Sequence, residues 1–184
     1  MLRPSSSFSF KAVGGLLRVL QTSCHIGEAF NPASQPEPSF KEFVAIWDTG
    51  ATNSVISQKV IDDCGLKQIG LTQVQGVNSL TIEPTYLVSI RLPNNVGYQE
   101  VQVTRGSMPG SDVLIGMDII TTGDLVITNK DGFTWWSFCW PSTRRTDYVA
   151  EHQQKAAMQL QGAHGGRPDR PKKNKNFGKH KRHK

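Results

Sequence analysis

No stretch of this sequence is apolar for the roughly 20 residues that a bilayer-crossing helix requires, so no spanning helix is expected. Cysteine is scarce as well. Cys24, Cys64 and Cys139 are odd in number, far apart and without Cys-x-x-Cys spacing, which argues against a disulfide framework or a structural zinc site and for a reducing, cytoplasmic setting. His25 stands alone, and His152, His164, His180 and His183 lie in polar sequence away from acids and cysteines at ligand spacing, so neither a metal nor a cofactor is expected. Acids are scarce at both ends. The first 20 residues have none and carry Arg3, Lys11 and Arg18, a composition that fits a transit segment except that Gly14, Gly15 and Arg18 break its apolar part. Residues 167–184 hold nine Lys or Arg against Asp169 alone, a local charge of +8 that leaves −2 for the other 166 residues. The overall charge of +6 therefore implies no basic face on the folded body.

What is present reads as β-structure. With 37% hydrophobic residues, 17 Gly and 10 Pro in 184 residues, the chain has material for one ordinary domain with many turns, and a site that needs two lobes must borrow the second. Residues 16–28 read as a first strand, the Pro-rich residues 31–39 as a loop, and "FKEFVAIWDTG" as a central strand returning in a long-looped hairpin. "SQKVIDDCGL" predicts a short helix with Ser57 as N-cap and Gly65 as stop signal. Alternating apolar residues at Leu87, Ile90, Leu92, Val96, Val101 and Val103, with turn residues at Gly76, Pro84 and "PNNVG", predict strands joined by hairpins. "DVLIGMDII" reads as a buried strand into Gly116 and a short helix from Met117. A strand "LVIT", the turn "NKDG" and an aromatic strand up to Pro141 follow. The expected organisation is an N-terminal extension over 1–15, a mainly β domain with one or two short helices over 16–149, and a polar basic tail over 150–184. That tail is expected to be largely disordered, with a short helix at "AEHQQKAAMQLQ". No internal repeat is visible, since "TTG" at 121–123 has Thr121 where an acid would stand.

The chemistry concentrates at Asp48-Thr49-Gly50-Ala51. A turn would explain Gly50, but an acid between "VAIW" and the apolar Ala51, Val55 and Ile56 is partly withdrawn from water, which is costly for a turn alone. Downstream, Leu114-Ile115-Gly116 ends an apolar run just before a helix start. Together the two motifs and the lengths between them, over about residues 16–141, resemble the retropepsin-like aspartic proteases. The resemblance implies a closed β-barrel half that acts as a homodimer, an aspartic endopeptidase with no cofactor, and a peptide or protein substrate. Residue by residue it implies Asp48 as the catalytic acid, Thr49, Gly50 and Ala51 as its support, Gly76, Val77 and Asn78 as a flap, and Leu114, Ile115 and Gly116 as the second motif. Trp47 departs from the small or aliphatic residue usual there in the family.

Hydrolysis by a bound water needs one carboxylate to take a proton and another, protonated, to give one. Asp62, Asp63, Asp112, Asp118, Asp124 and Asp131 lack a following Thr-Gly, and Asp118 on a nascent helix is expected to cap it or pair with a nearby donor. A two-fold dimer pairing Asp48 with its twin is the economical solution. The rival reading is an inactive protease-like dimer that binds peptides as an adaptor, with nonspecific nucleic-acid contacts through Arg167–Lys184. In "FTWWSFCW", Trp136, Phe138 and Trp140 share one face and Trp135 and Cys139 the other, so this strand serves core or interface.

Overall fold

The structure, a computed structural model, describes residues 5–76 and 80–164, the last four of these by backbone alone. Its elements run β1 (Ser6–Lys11), β2 (Leu20–Glu28), β3 (Lys41–Trp47), β4 (Val55–Ile56), α1 (Gln58–Cys64), β5 (Gln68–Gln75), β6 (Leu80–Leu92), β7 (Val96–Arg105), β8 (Val113–Ile115), α2 (Met117–Ile120), β9 (Asp124–Lys130), β10 (Phe133–Trp140) and α3 (Tyr148–His164). The contacts divide the chain into a unit ending at Arg144 and a second one from Arg145.

In the first unit the main sheet has the order β2-β3-β8-β4-β7-β6-β5, and β6 also pairs with β2, with Gly27 opposite Ser89. Six strands thus close into a barrel, and β5 continues the sheet outside β6. Period-2 alternation drives the closure. Along β2, Cys24 and Ile26 point inward, and along β6, Val88 and Ile90 do the same, all fully buried with Val103, Val113 and Ile115. The helix signals worked as expected at α1: the Ser57 hydroxyl accepts from the Val60 N–H, and Gly65 closes the helix in the left-handed conformation.

A second sheet, β1-β10-β9, plugs one end of this barrel with aromatic side chains. Phe8 and Phe10 on β1 and Trp136 and Phe138 on β10 share an inward face with Leu125 and Ile127 of β9. Trp47, the last residue of β3, joins them, its ring centroid 5.0 Å from Phe138 and 5.4 Å from Trp136, and its indole N–H donates to the buried Thr22 hydroxyl at 3.1 Å. Of the two roles open to the aromatic strand, Trp136 and Phe138 take the core one.

Three boundaries differ from the sequence expectations. The 1–15 extension contains β1, whose Phe8 and Phe10 alternate with polar residues in "SSFSFK" and so present one apolar face to β10. The first strand of the barrel begins at Leu20 rather than residue 16, because the preceding segment bonds to β10 instead, with the Leu17 N–H donating to the Thr134 hydroxyl and the Thr134 N–H to the Gly15 carbonyl. The boundary at residue 150 falls inside α3, whose good helix formers start behind the Asp147 carboxylate, which accepts from the Ala150 N–H at 3.1 Å. Residues 167–184 and the expected flap residues Val77 and Asn78 lie outside the described residues.

Where the barrel unit ends, the Asp124 carboxylate accepts from the Ser142 and Thr143 hydroxyls and from the Thr143 and Arg144 N–H groups. The Ser142 hydroxyl first, then the Thr143 N–H, hold this carboxyl below its ordinary value. Its contribution to stability is therefore complete above the usual carboxylate range and is lost as acid titrates the folded form. Among the described residues no helix is long and apolar enough to cross a membrane.

Truncation of the fully buried Phe138 to Ala is expected to cost about 3–5 kcal/mol in urea unfolding. The same change at the more exposed Phe10 is expected to cost less than half of that.

Candidate active site

Asp48 follows directly on β3, and its position is set by the neighbouring strand. β3 and β8 run parallel with Trp47 opposite Ile115, and the Asp48 N–H extends their ladder by donating to the Ile115 carbonyl at 3.0 Å. β4 lies on the other side of β8 and antiparallel to it, with Val55 opposite Leu114. Residues 48–54 must therefore pass from one flank of β8 to the other across its C-terminal end. The acid sits on this crossing, partly exposed, at the rim of the barrel.

Gly116 makes the crossing feasible. A Cβ at this position would lie 2.6 Å from the Asn53 carbonyl carbon and 2.7 Å from its oxygen, closer than carbon atoms approach without displacement. The two segments are then stitched together. The Met117 N–H donates to the Ala51 carbonyl at 2.8 Å and the Asp118 N–H to that of Thr52 at 3.1 Å. The Asp118 carboxylate accepts from the Ser54 N–H at 3.0 Å and from the Ser54 hydroxyl at 2.8 Å, and that hydroxyl accepts from the Gly116 N–H at 3.1 Å. Ser54 is fully buried. Asp118 thus fixes the crossing loop, the pairing role expected for it.

The Asp48 carboxylate accepts from the Gly50 N–H at 2.8 Å, which orients it without occupying its second oxygen. Gly50 is needed for close approach rather than for a left-handed turn. A Cβ there would stand 3.1 Å from Asp48 Oδ1, while the glycines with positive φ are Gly15, Gly65, Gly110 and Gly132. The Thr49 hydroxyl is exposed and makes no hydrogen bond among the described residues, and Ala51 is half-buried. Trp47 points into the aromatic plug, so it takes no room beside the acid.

Four of the other acids have partners of their own. Asp62 accepts from the Gln58 amide, Asp63 pairs with Lys59, the Ser57 hydroxyl is directed at Asp112, and Asp124 holds the end of the barrel unit. Within the chain, Asp48 is the one carboxylate in a Thr-Gly setting.

Gly76 follows β5 at the outer end of the β5–β6 hairpin, and Val77 and Asn78 are not described. The hairpin carries a feature that sequence reasoning missed. Leu80, Ile82 and Pro84 lie on the same face of β6 as the barrel-filling Tyr86, Val88 and Ile90, and Leu71 of β5 stands opposite Pro84. The inner face of the barrel wall therefore continues upward as an apolar hairpin face, yet Leu71, Leu80 and Ile82 are exposed. The alternation was visible in "LTIEPTYLVSI", but nothing in it signals where burial stops. Ser54 was missed too, since a serine in "ATNSV" carries no mark of its two-way hydrogen bonding.

A second exposed apolar stretch borders the acid. Val13, Leu16, Leu17 and Val19 are between 41% (Leu17) and 97% (Val13) exposed, although they precede Leu20, which pairs with Trp47 beside Asp48. The segment is tied down by backbone contacts to β10, with the Leu17 N–H donating to the Thr134 hydroxyl at 2.9 Å. It is held in place while its side chains face outward.

Gly116→Ala is expected to destabilise the protein by about 2–3 kcal/mol through overlap with Asn53. Ser54→Ala strands both the Gly116 N–H and the Asp118 carboxylate and is expected to cost a similar amount, about 2–4 kcal/mol, read from thermal unfolding.

The family model described as "gag-polyprotein putative aspartyl protease" matches residues 40–122, a span that holds Asp48, the β5–β6 hairpin and Gly116. A crystal structure of a retropepsin-like aspartic protease from Rickettsia conorii is similar over 76% of this chain and 98% of that one, with 8% identity and a TM-score of 0.45. No curated protein matches the chain. Residues 40–122, which hold the Asp-Thr-Gly crossing and the Gly116 motif, are thus similar to the putative aspartyl proteases of gag polyproteins.

Proposed function

We propose that the chain is one half of an aspartic endopeptidase, completed when two copies bring their Asp48 carboxylates together about a two-fold axis. The observation that carries this reading is the acid itself, held rigidly at the barrel rim by the ladder to Ile115 and by the Gly50 N–H, with one oxygen left over. In the dimer one Asp48 takes a proton from a water poised between them, and the other, protonated, gives one to the carbonyl oxygen of the scissile amide. Like charges so close cannot both ionise, so the pair holds a single proton and the roles exchange in the next step. Each oxygen that does not accept from Gly50 faces the water or the substrate.

Two surfaces support the reading. The exposed apolar segment beside Asp48 (Val13, Leu16, Leu17, Val19) is what a second copy would cover, since an exposed patch at an incomplete site marks an association surface. The β5–β6 hairpin face with Leu71, Leu80 and Ile82 would close over a bound peptide and exclude water during the reaction. Thr49, whose hydroxyl is unengaged in the single chain, would find its acceptor on the partner's loop.

Asp48→Asn is expected to lower cleavage of a peptide library by about 10³-fold or more at mildly acidic pH and at pH 7, with the dimer mass retained. Wild-type rates in this variant would sink the assignment, and inhibition by a pepstatin-like compound would support it independently. Leu17→Glu together with Val19→Glu places charge in the proposed interface. It is expected to weaken dimerisation about tenfold or more in sedimentation, with loss of activity that high protein concentration restores.

A further inference from the structure

Along the chain, the division between the two units falls at a pair of arginines. The first unit ends at Arg144 and the second begins at Arg145, and the residues from Ser142 to Thr146 are exposed and outside any helix or strand. The Arg145 side chain is 89% exposed. On either side the backbone is secured. The Asp124 carboxylate holds Ser142, Thr143 and Arg144 against the barrel unit, and Asp147 caps α3 by accepting from the Ala150 N–H. Between these two anchors only Arg145 and Thr146 lack a backbone hydrogen bond to either unit.

The same point divides the charge. Residues 1–145 hold eleven Lys or Arg against twelve Asp or Glu, a net −1, whereas residues 146–184 hold ten against three, a net +7. A cut here would separate a nearly neutral barrel from a strongly cationic piece, and both new ends would remain tied to folded structure. Exposed, irregular backbone between compact units is where proteases gain access, and adjacent arginines are what basic-specific enzymes accept.

We propose that Arg144-Arg145 is a processing site, at which a trypsin-like serine endopeptidase separates the barrel unit from the cationic C-terminal unit. Water is the co-reactant: the Arg145–Thr146 amide bond breaks, its carbonyl carbon gains the water oxygen and leaves as the Arg145 carboxylate, and Thr146 becomes a free amine. To enter the protease cleft in extended form, residues 142–144 must first leave Asp124, so that carboxylate sets how often the linker is available.

The test is limited digestion of the full chain by trypsin, followed by intact mass. Species cut within the last 30 residues are expected to chase into one barrel product ending at Arg144 or Arg145, before any cut between residues 19 and 141. That product should no longer bind a cation exchanger. Arg144→Gln with Arg145→Gln should slow its formation about tenfold or more and leave an end product at Lys155 or beyond, with an unchanged melting temperature. Asp124→Asn weakens the clasp and should speed the cut about tenfold. A stable wild-type product retaining residues 146–155, or a cut inside the barrel that comes first, would overturn the proposal. So would equal rates in the double glutamine variant, and an unchanged rate in Asp124→Asn would overturn the gating by the clasp.

Discussion

The hydrogen-bonded knot of Ser54, Asp118 and Gly116 is the contact on which the site depends. A loop that leaves β3 at Asp48 and enters β4 at Val55 has to cross the end of β8, and a crossing of two backbones is stable only if their polar groups satisfy one another. Here one buried hydroxyl donates to a carboxylate and accepts from a backbone amide, while the carboxylate also takes the Ser54 N–H. The buried polar groups of Ser54 are paired, and the knot needs a residue without a side chain beneath it. The position of Asp48 follows from that rigidity more than from any contact of its own.

Around the knot, packing does the rest. The barrel closes because β6 is long enough to pair with β5, β7 and β2, and its open end is filled by rings from β1, β3 and β10. Trp47 binds these layers together: it ends the strand that delivers the acid, yet its side chain belongs to the plug. Aromatic rings in edge contact contribute beyond their buried area, so the residue before Asp48 anchors the acid from behind.

Much of this was legible in the sequence where the signal is local. Ser57 and Gly65 framed α1, period-2 alternation marked β6 and β7, and the Asp48 and Gly116 motifs stood out together through their resemblance to a known family. What was not legible depends on distant pairing. "SSFSFK" is too short and too rich in serine to stand out until β10 lies beside it, and the hydrogen bonds of Ser54 exist only because β8 arrives from 60 residues away in the chain. The exposure of Leu17 or Ile82 is likewise invisible in residue type, since apolar character is the same whether a side chain fills a core or waits for a cover.

The base of the β5–β6 hairpin has one further property. Pro84 in β6, opposite Leu71, has no N–H to give to the ladder, and next to that pair β5 shifts register between Gln68 and Gly70, which face Tyr86 and Thr85. Both strands are thus weakened at the same level, just where the pair leaves the barrel wall. Below that level β6 is locked between neighbours, and above it the two strands have only each other. The irregularity thus falls in two neighbouring pairs, around Gly70 and Pro84, whose residues share no hydrogen bond with the Asp48 loop, so a change there would alter the hairpin's direction without touching the acid's own contacts.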